Sequence, residues 1–169
     1  MSQTNAVAPV TIYYLAMNSP DALNEKQESQ GLQVTECVVK QYGLNRFLYE
    51  WVGGPWNWTD KLSWTNEQWQ QYAEAENLRT WVAYSQGSPA GYYELQEAEG
   101  GHVELAYFGL ASKFIGQGFG GYLLSHAIKT AWNLGGTKRV GVNTCSLDHP
   151  SALRNYQARG FELYRTTTQ

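Results

Sequence analysis

The chain has 169 residues, 43% of them hydrophobic, which is the size of one ordinary domain around a single core. Its net charge of -3 and the lack of any Lys or Arg block argue against sequence-independent binding to nucleic acid or to an anionic membrane. No stretch approaches the roughly 18 apolar residues of a membrane span, and "MSQTNAVAPVTIYYLAM" lacks the basic start and long apolar run of a secretion signal, so a cytoplasmic protein is expected.

In chain order, "VTIYYLAM" (10–17) is β-branched and aromatic and reads as a strand. The polar segment 18–31 reads as a mobile loop within a single domain spanning 1–169. "LQVTECVV" (32–39) alternates as a second strand, and "GLNRFLYEWVGG" places Leu44, Phe47, Leu48 and Trp51 on one helix face. Thr65 precedes "NEQWQQYAEA" as a helix cap, its hydroxyl able to accept from a first-turn amide. "RTWVAYS" (79–85) and "PAGYYELQEA" (89–98) flank "QGS" as a hairpin, and "HVELAYFGL" (102–110) continues the sheet.

Beyond a cluster of glycines, Gly120, Leu123, Leu124, Ala127, Ile128 and Ala131 recur at helical spacing. "KRVGVNTCS" (138–146) reads as a buried strand. "PSALRNYQAR" (150–159) reads as a helix with Pro in its first turn and Gly160 after its end, and "FELYRTT" as a last strand. The order β-β-α-α-β-β-β-α-β-α-β predicts an α+β sandwich on a mixed sheet. Cys37 and Cys145 lack metal-type spacing and are expected as reduced thiols in the core, with no metal site. His102 and His126 read as surface residues.

The glycines pose the functional question. Gly116, Gly118, Gly120 and Gly121 lie where a strand gives way to a helix. A helix start carries four amides without intrahelical partners and a partial positive charge, so it seats phosphate well. The glycines let backbone approach such an anion, which predicts a diphosphate cradle; the competing reading is a tight turn that packs the helix on the sheet. Gly116, Gly118 and Gly121 also satisfy G-x-G-x-x-G, with Asp148 placed where a ribose-binding acid could sit. Too few strands follow to build a dinucleotide domain, and no Gly-Lys-Ser/Thr follows to make a P-loop.

The stretch resembles the acyl-CoA loop of the GNAT superfamily of N-acetyltransferases, whose Arg/Gln-x-x-Gly-x-Gly/Ala signature aligns with Ile115-Gly116-Gln117-Gly118-Phe119-Gly120. Ile115 departs from the pattern at its first position. A second family element is echoed by "HPSALRNYQARGF", where Ala152, Tyr156, Gly160 and Phe161 fit and His149 replaces the usual Asn.

The resemblance implies a GNAT-like fold: a mixed, mostly antiparallel sheet of about six or seven strands with about four helices on its two faces. It implies acetyl-CoA as cosubstrate and transfer of its acetyl group to a primary amine of a small molecule, peptide or protein. The cofactor contacts it implies are Phe108, Gly109 and Leu110, with a strand bulge at Gly109, then Ile115, Gly116, Gln117, Gly118, Phe119, Gly120 and Gly121, and also Asn143 and His149.

Transfer to an amine requires a neutral nucleophile and benefits from a proton for the departing thiolate. The resemblance assigns the base role to Glu104, on the cofactor strand, with Glu94 next, and the acid role to Tyr156. The bland alternatives are a solvent-facing or paired Glu104 and a packing Tyr156. The acceptor is expected against "YEWVGGPWNWTDKLSW", where Trp51, Trp56, Trp58, Trp64 and Tyr93 could wall a pocket for a cationic or aromatic amine. Such Trp residues also serve cores. A noncatalytic acyl-CoA-binding module is the alternative function. A monomer or homodimer without nucleic-acid or membrane partners is expected.

Overall fold

Alternation in the strands and a repeat of three to four in the helices set the architecture. In the computed structural model, which describes residues 8–169, they give β1 (Thr11–Met17), β2 (Gln33–Glu36), α1 (Tyr42–Gly53), α2 (Asn66–Ala73), β3 (Leu78–Ser85), β4 (Ser88–Glu97), β5 (His102–Leu110), α3 (Phe119–Trp132), β6 (Arg139–Cys145), α4 (Ala152–Ala158) and β7 (Glu162–Thr168). The element order is the one read from the sequence.

All these strands join one sheet, ordered β2-β3-β4-β5-β6-β1-β7. Neighbours are antiparallel except β5 and β6. That exception follows from α3, since a helical crossover returns the next strand in the same direction as the last. β1 crosses from the chain's start to lie between β6 and β7.

Helices cover both faces. On one, α3 sets Leu123, Leu124, Ala127, Ile128 and Ala131 against Leu15, Val103, Leu105, Val140 and Val142, with Tyr156 of α4 alongside. On the other, Leu48 and Val52 of α1 pack on Val82 and Tyr92. Full burial of each such aliphatic side chain is worth about 1.5–3 kcal/mol, so both faces hold the sheet. Thr65 caps α2 as expected, and the bond is reciprocal: Gln68 N donates to Thr65 Oγ1 (3.2 Å) and Thr65 N donates to Gln68 Oε1 (2.8 Å). Between β3 and β4, Gln86 and Gly87 both take left-handed φ values of 49° and 83°, the conformation of a two-residue hairpin turn.

Five expectations are corrected. Segment 18–31 is fastened to α3 and α4 rather than free: Asn24 N donates to Arg159 O (2.9 Å), Asn24 Nδ2 to Ala158 O (3.0 Å), and Lys26 N to Ser125 Oγ (2.9 Å). Its polar residues, which suggested solvent, satisfy carbonyls that the end of α4 leaves open. Pro150 precedes α4 instead of opening it; it lies inside a turn closed by Ala152 N donating to His149 O (2.9 Å). His126 is half-buried, its Nδ1 2.7 Å from the Tyr93 hydroxyl. Both cysteines are free but only half-buried.

The fifth correction positions the site. The bulge in β5 falls at Ala106 and not at Gly109, because Glu94 pairs with Tyr107 while Leu95 pairs with Leu105. A bulge inserts one residue and reverses the alternation after it. Val103 and Leu105 therefore share the α3 face with Phe108, while Tyr107 turns to α1. The β5–β6 ladder ends at the same point, its last pair being Leu105 and Val142. Beyond it the two strands part, and the β6-facing edge of Ala106–Leu110 is left without a strand partner.

Candidate active site

The parted strands open two cavities that share a floor. The first, about 530 Å³, runs from Phe108, Gly109 and Leu110 past Ile115, Gly116, Gly118, Gly120 and Gly121 to α4. The second, about 490 Å³, lies between β5, β6 and β1 and the loop after α1. Trp56, Trp58, Phe108, Asp148 and Tyr156 line both.

Gly118 takes the cap position of α3 at φ +86°, and no side chain caps the helix. The first turn of a 14-residue helix thus lacks a side-chain cap, and its Gly118, Gly120 and Gly121 line the first cavity. A Cβ at Gly118 would stand 2.7 Å from Gln30 Nε2. Lys26, Arg154 and Arg159 bring positive charge to the same walls. Arg159 Nε is buried and has no hydrogen-bond partner. Uncapped amides, three cations and an orphaned guanidinium N–H fit a diphosphate.

Tyr156 is 4% exposed, with its ring edge-on to Phe108 at 6.1 Å. Burial, with Asp148 nearby, pushes its phenol well above the ordinary tyrosine range, so it stays protonated. Asp148 is held from two sides: Thr144 Oγ1 donates to Oδ2 (3.0 Å) and His149 N to Oδ1 (2.9 Å). Ser151 N donates to His149 Nδ1 (2.9 Å), which fixes the orientation of the ring. That ring meets Trp56 edge-on, with centroids 4.7 Å apart. Trp58 rests where Gly53 and Gly109 lack side chains: a Cβ at Gly109 would approach Val52 Cγ1 to 2.6 Å and the Trp58 indole to 3.4 Å. Gly109 therefore serves packing of the aromatic loop, while Ala106 carries the bulge.

The residues singled out from sequence divide clearly. Phe108, Gly109, Leu110, Ile115, Gly116, Gly118, Gly120, Gly121 and His149 line the first cavity, and Asn143 lines the second. Gln117 turns back to donate to Lys113 O (2.8 Å), and Phe119 is buried in the core against Phe114. Glu104 lines neither cavity; its Oε2 is 2.8 Å from His102 Nε2. Glu94 is 1% exposed and receives bonds from Asn45 Nδ2 (2.8 Å) and the Tyr72 hydroxyl (2.6 Å).

Of the aromatic wall, Trp56 and Trp58 face the cavities. Trp51 is 39% exposed and stacks on Phe47, while Tyr93 is wholly buried against Trp81. Trp64 instead lies 4.4 Å from Lys61 Nζ. Sequence reasoning missed Lys26, Arg154 and Arg159, and read Asp148 only as a ribose acid. Spacing from the helical Tyr156 could have flagged Arg159, since residues three apart share a helix face. Nothing local marks Lys26.

A family model described as the acetyltransferase (GNAT) family matches residues 45–161. The chain belongs to that family. This GNAT protein resembles in fold a GCN5-related N-acetyltransferase from Kribbella flavida, at 19% identity and TM-score 0.66 over 94% of this chain and 56% of the other. A second such acetyltransferase, from Sphaerobacter thermophilus, aligns at 18% identity and TM-score 0.69 over 94% of this chain and 50% of that one. An aminoglycoside acetyltransferase from an uncultured soil sample aligns at 15% identity and TM-score 0.61, covering 77% and 88% of the two chains. The GNAT chain spans only 50–60% of the length of the first solved structures it matches. Among curated proteins nothing matches.

Proposed function

We propose that the protein transfers an acetyl group from acetyl-CoA to a primary amine of a small molecule or peptide, by direct attack in a ternary complex. One observation carries the reading: the uncapped start of α3 opens into a cavity walled by Lys26, Arg154 and Arg159. Acetyl-CoA supplies the activated thioester. The amides around Gly116–Gly121 and the three cations hold its diphosphate, and the unpaired edge of Phe108–Leu110 offers backbone bonds to the pantetheine arm. Tyr156 keeps a proton at the junction of the cavities for the departing thiolate. The second cavity receives the acceptor against Trp56 and Trp58.

A second reading, a noncatalytic acyl-CoA-binding module, draws support from Glu104 lying outside both cavities. Thermal unfolding with acetyl-CoA, malonyl-CoA and NADH, followed by thiol-release assays with an amine library, separates the readings. Ligands that bind only the folded state raise the midpoint. Stabilisation by acetyl-CoA with thiol release upholds the enzyme; stabilisation without release under every amine favours the binding module. Stabilisation by NADH alone overturns both.

A further inference from the structure

The two cavities differ in charge. The first is walled by three cations, whereas the second carries the carboxylates of Asp60 and Asp148 and, among the described residues lining it, no Lys, Arg or His. Its remaining surface is strongly aromatic, with Tyr49, Trp56, Trp58, Tyr107, Phe108 and Tyr156 all contributing. Aromatic faces attract cations, and carboxylates in a partly desolvated pocket repel anions.

We infer that the acceptor is a cationic amine with a flat apolar body and no anionic group, and that Asp148 receives its ammonium. The inference rests on the acetyltransferase reading. Among the described residues Asp148 is the only carboxylate lining both cavities, so no other acid faces the cosubstrate side and the acceptor side together. Each of its oxygens accepts one bond, from Thr144 and from His149, which fixes the group and leaves each oxygen a further lone pair. Glu104 and Glu94 are both engaged elsewhere.

The protons balance. Asp148 takes one from the ammonium and releases it to solvent. The neutral nitrogen then attacks the thioester carbonyl carbon; a C–N bond forms and the C–S bond breaks. The Tyr156 hydroxyl protonates the thiolate and is refilled by the second nitrogen proton. Each turnover yields an amide, a free thiol and one released proton.

The test compares amines that share a ring but differ by a carboxylate. With wild-type protein and saturating acetyl-CoA, tryptamine and phenethylamine should exceed tryptophan and phenylalanine in kcat/KM by at least about tenfold, as like-charge exclusion demands. They should also exceed butylamine, which lacks the flat body. Asp148→Asn keeps its carbonyl oxygen as acceptor for His149 N and turns its Nδ2 to donate to the Thr144 hydroxyl, and should lower kcat about a hundredfold, the scale of a lost proton acceptor, with the acetyl-CoA thermal shift retained. Asp60→Asn should raise KM for tryptamine without lowering kcat. Equal or better use of tryptophan, or Asp148→Asn within threefold of wild type, overturns the inference while acetyl-CoA binding and transfer to other amines leave the enzyme reading intact. Absence of any acetyl-CoA shift overturns both.

Discussion

The Tyr72 hydroxyl donates a 2.6 Å hydrogen bond to Glu94 Oε2, deep beneath α1 and α2. Burial raises the Glu94 carboxyl above its ordinary value of 4.5, against the lowering effects of Tyr72, Asn45 and Lys61. A carboxyl with a raised folded pKa contributes stability that is whole below the unfolded value and is lost as pH climbs through the folded one. Urea unfolding of the wild type should therefore show stability falling from about pH 4.5 upward. Glu94→Gln should abolish that fall, whereas Glu94→Leu should cost about 1–3 kcal/mol for each buried partner left unpaired. An unchanged pH profile in Glu94→Gln would assign the dependence to other groups.

Gly118→Val places a β-branched residue at φ +86°, with its Cβ 2.7 Å from Gln30 Nε2. The backbone strain alone should lower stability by about 1–3 kcal/mol. More tellingly, the acetyl-CoA thermal shift should vanish, since a side chain then stands where phosphate must approach. A folded variant that retains the full shift would make the glycine loop purely architectural.

Tyr156→Phe removes the proton held at the junction but keeps the ring that packs on Phe108 and Phe161. Turnover should drop by about 10²-fold or more, with acetyl-CoA affinity nearly unchanged. Because burial keeps the phenol protonated beyond the ordinary tyrosine value of 10, the wild-type kcat should show no basic limb from Tyr156 below that pH. Thiol release across pH 6–10 in both proteins checks each point.

For Glu104→Gln the expected result is turnover close to wild type, because its carboxylate is bonded to His102 and lines neither cavity. A loss beyond tenfold in steady-state thiol release would return Glu104 to the role of base.

Much was readable without coordinates because it is local. Alternation and helical spacing announce each strand and helix, the Thr65 cap follows from three residues of chain, and glycines before an apolar helix point to an anion-binding helix start. The motifs that carry the family resemblance lie within the segment Ile115 through Phe161, inside the 45–161 stretch that the family model matches.

Tertiary structure alone decided which side chains meet. One extra residue at Ala106 reverses the alternation of β5, so that Phe108 faces away from the side predicted by counting from Glu104. Segment 18–31 crosses α3 and delivers Lys26 to the first cavity, and β1 inserts between β6 and β7 to wall the second. Asp148 becomes central only because the β5–β6 ladder stops at Leu105 and Val142. Such juxtapositions depend on contacts a hundred residues apart and on a single register shift, and neither leaves a trace in the spacing of neighbouring residues.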